Sequence, residues 1–225
     1  MNDNILLQIA MWLVPLVIAI VFHEVAHGLV ARRLGDNTAA ERGRLTFNPI
    51  KHVDPVGTVI LPLLLAISHA PVFGWAKPVP VNYRRLRNPR RDMVLVALAG
   101  PGMNLLLALF GAIVLAATLS LSSDPNGLTT TLIAGNALNF VLINLFLAVF
   151  NLLPVPPFDG GHVVEGLLPR QAAMRFRKIG RYSLLVLMVL LLVLPALGIN
   201  IVGQLVSPIV DGLAKGLLGL FGVRA

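Results

Sequence analysis

Residues 5–30 read ILLQIAMWLVPLVIAIVFHEVAHGLV, an apolar run interrupted near its end by His23-Glu24-Val25-Ala26-His27. The length of the run decides the fold class. A helix needs about 20 apolar residues to cross a bilayer, and this run supplies them before Arg32-Arg33 and the turn-forming Gly35-Asp36-Asn37. Its polar interruption points to chemistry. Two histidines and a glutamate inside a membrane span are costly unless they serve a purpose, and His-Glu-x-x-His on a helix is a metal-hydrolase pattern. The competing reading, two core histidines with Glu24 as counter-charge, is weaker in lipid than it would be in a soluble helix.

Composition agrees with the membrane reading. The chain has 225 residues, 56% of them hydrophobic and 12% charged, with mean hydropathy +0.83. A soluble domain carries about twice that charged share. The absence of cysteine excludes disulfides and thiolate zinc sites. A net charge of +8 and a pI of 11.1 could suggest nucleic acid as a partner. The positions of the charges argue for a lipid bilayer and against nucleic acid. Eleven of the 18 Lys/Arg lie between Arg32 and Arg91 and five more between Arg170 and Arg181, the pattern of cytoplasmic loops. Met1-Asn2-Asp3-Asn4 lacks a basic n-region, so the first run reads as a retained transmembrane helix.

Outward from that helix, residues 36–55 are polar and broken by Gly43, Pro49 and Pro55. Residues 56–70 are apolar but short, and contain Pro62 and His69. Residues 71–92 are Pro-rich and basic. Apolar segments at about 93–121 and 128–151 are joined by a turn at 122–127. A Pro/Gly-rich stretch, a basic amphipathic stretch at 170–181 and further apolar runs complete the chain. These features predict an all-α polytopic membrane protein with about four to six transmembrane helices and a re-entrant or interfacial element at 56–70. They predict one domain over 1–225, with a core at 5–169 and C-terminal helices at 170–225. The positive loops place 32–55, 71–92 and 170–181 in the cytoplasm and 122–127 outside. The helix over 128–151 then ends at the same depth as helix one, and delivers Asp159 to the level of His23 and His27.

His23 and His27 are four residues apart, so they share one helix face and can bind one metal together. Glu24 lies about 100° round the helix. It can reach a water beside the metal without being a ligand, which suits a general base. Two histidines leave a catalytic zinc one protein ligand short, and Asp159 and Glu165 are the acids near that depth. His52 and His69 read as loop or local packing, ahead of extra ligands or substrate contacts, and His162 with Glu165 as a brace for Asp159 or an interfacial pair. Asn104 bonds across helices or orients substrate. The Arg84–Arg91 cluster reads as a topology determinant that meets anionic lipid. A metal transporter or metal-binding membrane protein is the alternative, but polar residues concentrate at one depth and include a base that transport does not need.

HEVAH on an early apolar helix, Asn151-Leu-Leu-Pro-Val-Pro-Pro-Phe-Asp159-Gly-Gly-His162 after a later one, and Ala99-Gly-Pro-Gly-Met-Asn104 between them resemble the site-2 protease family of intramembrane zinc metalloproteases. Arg44-Leu-Thr-Phe-Asn-Pro-Ile-Lys-His52-Val-Asp-Pro55 is similar to its small single-module branch. The resemblance implies a zinc metalloendopeptidase with one Zn2+ per chain, held by His23, His27 and Asp159, and Glu24 as the catalytic residue. It implies that Asn151 helps hold the substrate backbone, that the substrate is a membrane protein cut in or near a transmembrane helix, and a role in regulated intramembrane proteolysis. A multi-pass protein of the cell (plasma or inner) membrane, with its active site toward the cytoplasm, follows. Many members place a helix before the one that carries HExxH; here the first apolar run already holds it.

Overall fold

The computed structural model describes residues 5–67, 74–124, 126–200 and 202–223. Among the described residues all regular structure is helical. The α-helices are α1 (Ile5–Arg33), α2 (Thr38–Glu41), α3 (Leu61–Ile67), α4 (Pro89–Leu121), α5 (Leu128–Asn151), α6 (Asp159–Leu167), α7 (Arg170–Gly180), α8 (Ser183–Met188), α9 (Leu194–Ala196) and α10 (Ser207–Gly219). Three are long and apolar enough to cross a membrane: α1 over Met11–Arg33, α4 and α5. Arg170–Gly180 and Ser183–Ala196 make a fourth span only if their 70° bend is counted inside one crossing. The protein is thus an all-α polytopic membrane protein, with three to four spans among the described residues against the four to six expected. The expected element at 56–70 is described as far as Ile67; the apolar helix there, Pro55–Leu65, is shorter than a span, and His69 lies outside the described residues.

The core is a bundle of α1, α4 and α5, with α6 against α4 and α10 against α5. Lipid is as apolar as leucine, so helices in a membrane hold together by close backbone approach and interhelical hydrogen bonds. The contacts here show both. Ala108, Ala112 and Ala137 are buried at the α4–α5 seam, and a Cβ on Gly111 would stand 3.0 Å from Val141 Cγ2. Leu105, Leu106, Leu109, Phe110 and Ile113 of α4 stay exposed, an apolar surface suited to lipid. Pro15 has no N–H to give the Met11 carbonyl four residues back. Asn139 of α5 supplies the missing donor, its Nδ2 lying 3.1 Å from Met11 O.

The segments after α1 fold back over its end. Leu34 O accepts from the Arg87 N–H at 3.1 Å. Asp36 is fully buried, and its carboxylate accepts from the Thr38 N–H, the Thr38 hydroxyl and the Asn82 N–H. Burial alone would raise the Asp36 pKa, but these donors outweigh it and hold the carboxyl below its usual 3.8. Residues 74–82, without regular structure, run as a strap from the Pro55–Ile60 turn past α1 to Asp36.

Candidate metal centre

The centre forms where α1, α4 and the start of α6 meet. His23 and His27 are buried on one face of α1, 7% and 8% exposed. Asp159 opens α6, where unpaired backbone N–H groups favour a negative charge. The loop before it folds tightly because Gly160 and Gly161 follow: a Cβ on Gly160 would stand 2.3 Å from Leu152 O. His23 Nε2 and His27 Nε2 are 3.0 Å apart, and Asp159 Oδ2 lies 3.2 and 3.3 Å from them. A tetrahedral zinc with bonds of about 2.0–2.1 Å separates its ligand atoms by about 3.3 Å, so the triangle has the size of one face of such a site.

The hydrogen bonds fix which ring nitrogens face the centre. His27 Nδ1 is 2.7 Å from Val96 O, which can only accept, so Nδ1 carries the proton. His23 Nδ1 is 2.5 Å from Asn104 Oδ1. Asn104 Nδ2 in turn donates to Asn144 Oδ1 at 2.8 Å, and Asn144 Nδ2 donates to Phe140 O at 2.8 Å. This relay runs from α5 through α4 to α1 and makes His23 a donor at Nδ1. Both Nε2 atoms are then bare lone pairs, turned on each other and on a carboxylate oxygen that is buried without a hydrogen-bond donor. Three mutually repelling acceptors in one dry spot fit a divalent cation. Gly100 leaves room for it: a Cβ there would stand 2.4 Å from His27 Nε2 and 2.6 Å from His23 Nε2.

Glu24 lies beside this triangle, partly exposed, and its Oε2 accepts from the Val79 N–H of the strap at 2.7 Å. A triad that could hold a metal, a neighbouring carboxylate and helices suited to lipid are the parts of a membrane-embedded metal hydrolase.

Known proteins are similar to this chain. Residues 136–194, from α5 past Asp159, match Peptidase family M50. A Bacillus subtilis protein named "Putative zinc metalloprotease YwhC" is 39% identical over 177 residues, covering 79% of this chain and 78% of its own. The chain belongs to peptidase family M50, the site-2 proteases. Proteins named "Putative zinc metalloprotease Rip2" are also similar. That of Mycobacterium tuberculosis is 36% identical over 185 residues, covering 82% of this chain and 66% of its own. That of Mycolicibacterium smegmatis is 31% identical over 193 residues, covering 85% and 68%. No solved structure matches the chain. Membership makes this an intramembrane zinc metalloprotease, and the transporter reading is not favoured.

The remaining candidates of this M50 chain fall in different places. Asn104 is fully buried, with its amide spent on His23 and Asn144. Of its two readings, the bond across helices is the one these contacts show. Asn151 ends α5, half-buried, with Nδ2 on Leu147 O at 3.0 Å. His52 is buried in the loop after α2, its Nε2 on Thr46 O at 2.9 Å, and is not among the three clustered side chains that could hold a metal ion. Glu165 pairs with Arg177 of α7 and not with Asp159, and His162 is exposed. Asn144 went unread in the sequence, although a polar residue in the middle of a span is a signal in itself. The Val79 N–H has no such signal, because a backbone amide is the same in every residue.

Proposed function

We propose that His23, His27 and Asp159 hold one zinc and that Glu24 is the general base for hydrolysis of a peptide bond in or near the transmembrane segment of a membrane-protein substrate. The observation that carries this reading is the convergence of three lone-pair atoms within 3.3 Å of one another beside a carboxylate already held by a backbone donor. Zinc, when bound, supplies a Lewis acid that polarises the scissile carbonyl. The chain's own groups do the rest. The Nδ1–H bonds of His23 and His27 hold the rings with Nε2 toward the metal. Glu24, with Oε2 on Val79, keeps Oε1 to take a proton from the attacking water and pass it to the leaving amine. Asn151, at the end of α5, offers its amide oxygen to a substrate N–H.

An intact substrate helix hides its carbonyls in intrahelical hydrogen bonds, so the segment must unwind before it is cut. The Lys/Arg asymmetry supports a cytoplasmic-facing centre in the plasma or inner membrane. Residues 5–169 act as the catalytic core, and 170–225 complete the same unit.

The test is incubation of purified protein in proteoliposomes with a panel of single-span membrane proteins, with and without a zinc chelator, alongside Glu24→Gln. Wild type should cleave and the chelator should stop it. Glu24→Gln should keep about one zinc per chain and lose at least about 100-fold in rate. Wild-type cleavage by Glu24→Gln removes the general-base assignment.

A further inference from the structure

The strap is anchored at alternate residues. The Trp75 N–H donates to Gly57 O at 3.1 Å, and Trp75 O accepts from the Thr58 hydroxyl at 2.9 Å. The Lys77 N–H donates to His52 O at 2.8 Å, and Lys77 O accepts from Arg44 Nη2 at 2.7 Å. Next in the series, the Val79 N–H meets Glu24 Oε2. The Asn82 N–H closes the far end on Asp36. Five of these six contacts use structural partners. Glu24 is the exception, because it is the residue assigned above as the base.

Three further features show that this contact is built. Pro78 and Pro80 flank Val79, and a residue before proline is confined to extended conformations, so the amide has little freedom to turn away. Arg44 and His52 are 9% and 2% exposed, buried polar side chains beside Lys77, two residues before the donor. Gly28 stands one turn after Glu24 on the same face of α1. A Cβ there would stand 2.9 Å from Val79 Cγ1 and 2.4 Å from Leu45 Cδ2. The helix surface is thus cut away where the strap crosses it.

We propose that the backbone amide of Val79 is a positioning group for the hydrolytic reaction: it pins one carboxylate oxygen of Glu24 so that the other is presented to the water proton. The proposal rests on Glu24 being the base. A glutamate has three side-chain torsions and, unheld, spreads over several rotamers. A base must lie within hydrogen-bond reach of the proton it takes, and a misplacement of about 1 Å can cost about 100-fold. The donor belongs to the main chain, so only proline deletes it. Arg44, His52 and Asp36 act through the strap, as its anchors.

Val79→Pro removes the one N–H while keeping a residue suited to an extended backbone. Val79→Ala keeps the N–H and removes most of the side chain. With the single-span substrate that wild type cleaves, Val79→Pro should lose at least about 10-fold in kcat at unchanged KM and zinc content, and Val79→Ala should stay within about 3-fold of wild type. A second readout needs no substrate. Amide hydrogen exchange of wild type should show Val79 protected, and Glu24→Ala should lose that protection while Lys77 keeps its own. Wild-type kcat in Val79→Pro overturns the proposal, as does an equal loss in Val79→Ala, which would assign the effect to side-chain packing. If Val79→Pro does not fold, equal exchange at Val79 in wild type and Glu24→Ala overturns it instead. Failure of the general-base reading shows separately, as an active Glu24→Gln.

Discussion

The metal end of α1 and the stretch from α7 to α9 are both helical, yet they are built on different terms. Around His23 and His27 the polar atoms that face away from the triangle have assigned partners, and a Cβ on Gly28 or Gly100 would meet neighbouring side chains at 2.4 Å. None of α7, α8 and α9 contains a buried residue, and Leu184, Leu185 and Val193 stand exposed. A side chain that faces lipid need only be apolar, so many sequences satisfy it. A side chain that orients a metal ligand must be one residue type in one rotamer. The contrast implies that sensitivity to substitution should fall steeply from the first region to the second.

Two substitutions should break the first region outright. Asp159→Ala removes a proposed ligand, and Gly100→Ala places a methyl closer than van der Waals contact to both Nε2 atoms. Both should bring zinc well below one per chain by elemental analysis and abolish cleavage. Wild-type zinc in Gly100→Ala would show that α4 can shift away from α1. One step out, Asn104→Ala leaves the ligands but frees the His23 ring, and should weaken zinc affinity by about 10–100-fold in a chelator competition.

Further from the metal, the effect becomes one of stability and depends on pH. Asp36 has its folded pKa held below 3.8, so its contribution is present in full above about pH 4 and disappears as the pH falls through the folded value. Asp36→Asn should therefore lower the melting temperature in detergent at pH 7, by the equivalent of about 1–3 kcal/mol. The gap to wild type should narrow below pH 3.8. A gap that is constant with pH would mean the carboxylate charge is not what the three donors hold. The smallest effect belongs to the pair that joins α6 to the second region. Glu165→Gln breaks the pair with Arg177, whose side chain is 62% exposed, and should change stability by no more than about 1 kcal/mol.

The same contrast explains what the sequence disclosed. The spans of α1, α4 and α5 are legible because apolar length and flanking charge are properties of composition. His23, Glu24 and His27 are legible because their spacing is a helical repeat. Asp159 could be separated from Glu165 only by resemblance, since depth alone admits both, and the structure puts Glu165 on Arg177. Asn104 carried two readings, and only the position of Asn144 on α5 reveals the interhelical bond. The strap read as a Pro-rich loop. Its prolines announce a stiff segment, but the group it brings to Glu24 is an amide that no side chain marks.

The relay from Phe140 through Asn144 and Asn104 to His23 also has a consequence for how the chain is made. A ribosome adds about 5–20 residues per second. From Arg33, the last residue of α1, to Asp159 is a further 126 residues, or roughly 6–25 s of synthesis. During that interval a newborn α1 holds two imidazoles and a carboxylate, at first without Asn104 to brace one and throughout without Asp159. Biogenesis therefore includes a period in which the most polar turn of the protein must be sheltered by something other than its own later helices, such as the insertion machinery or the bilayer surface.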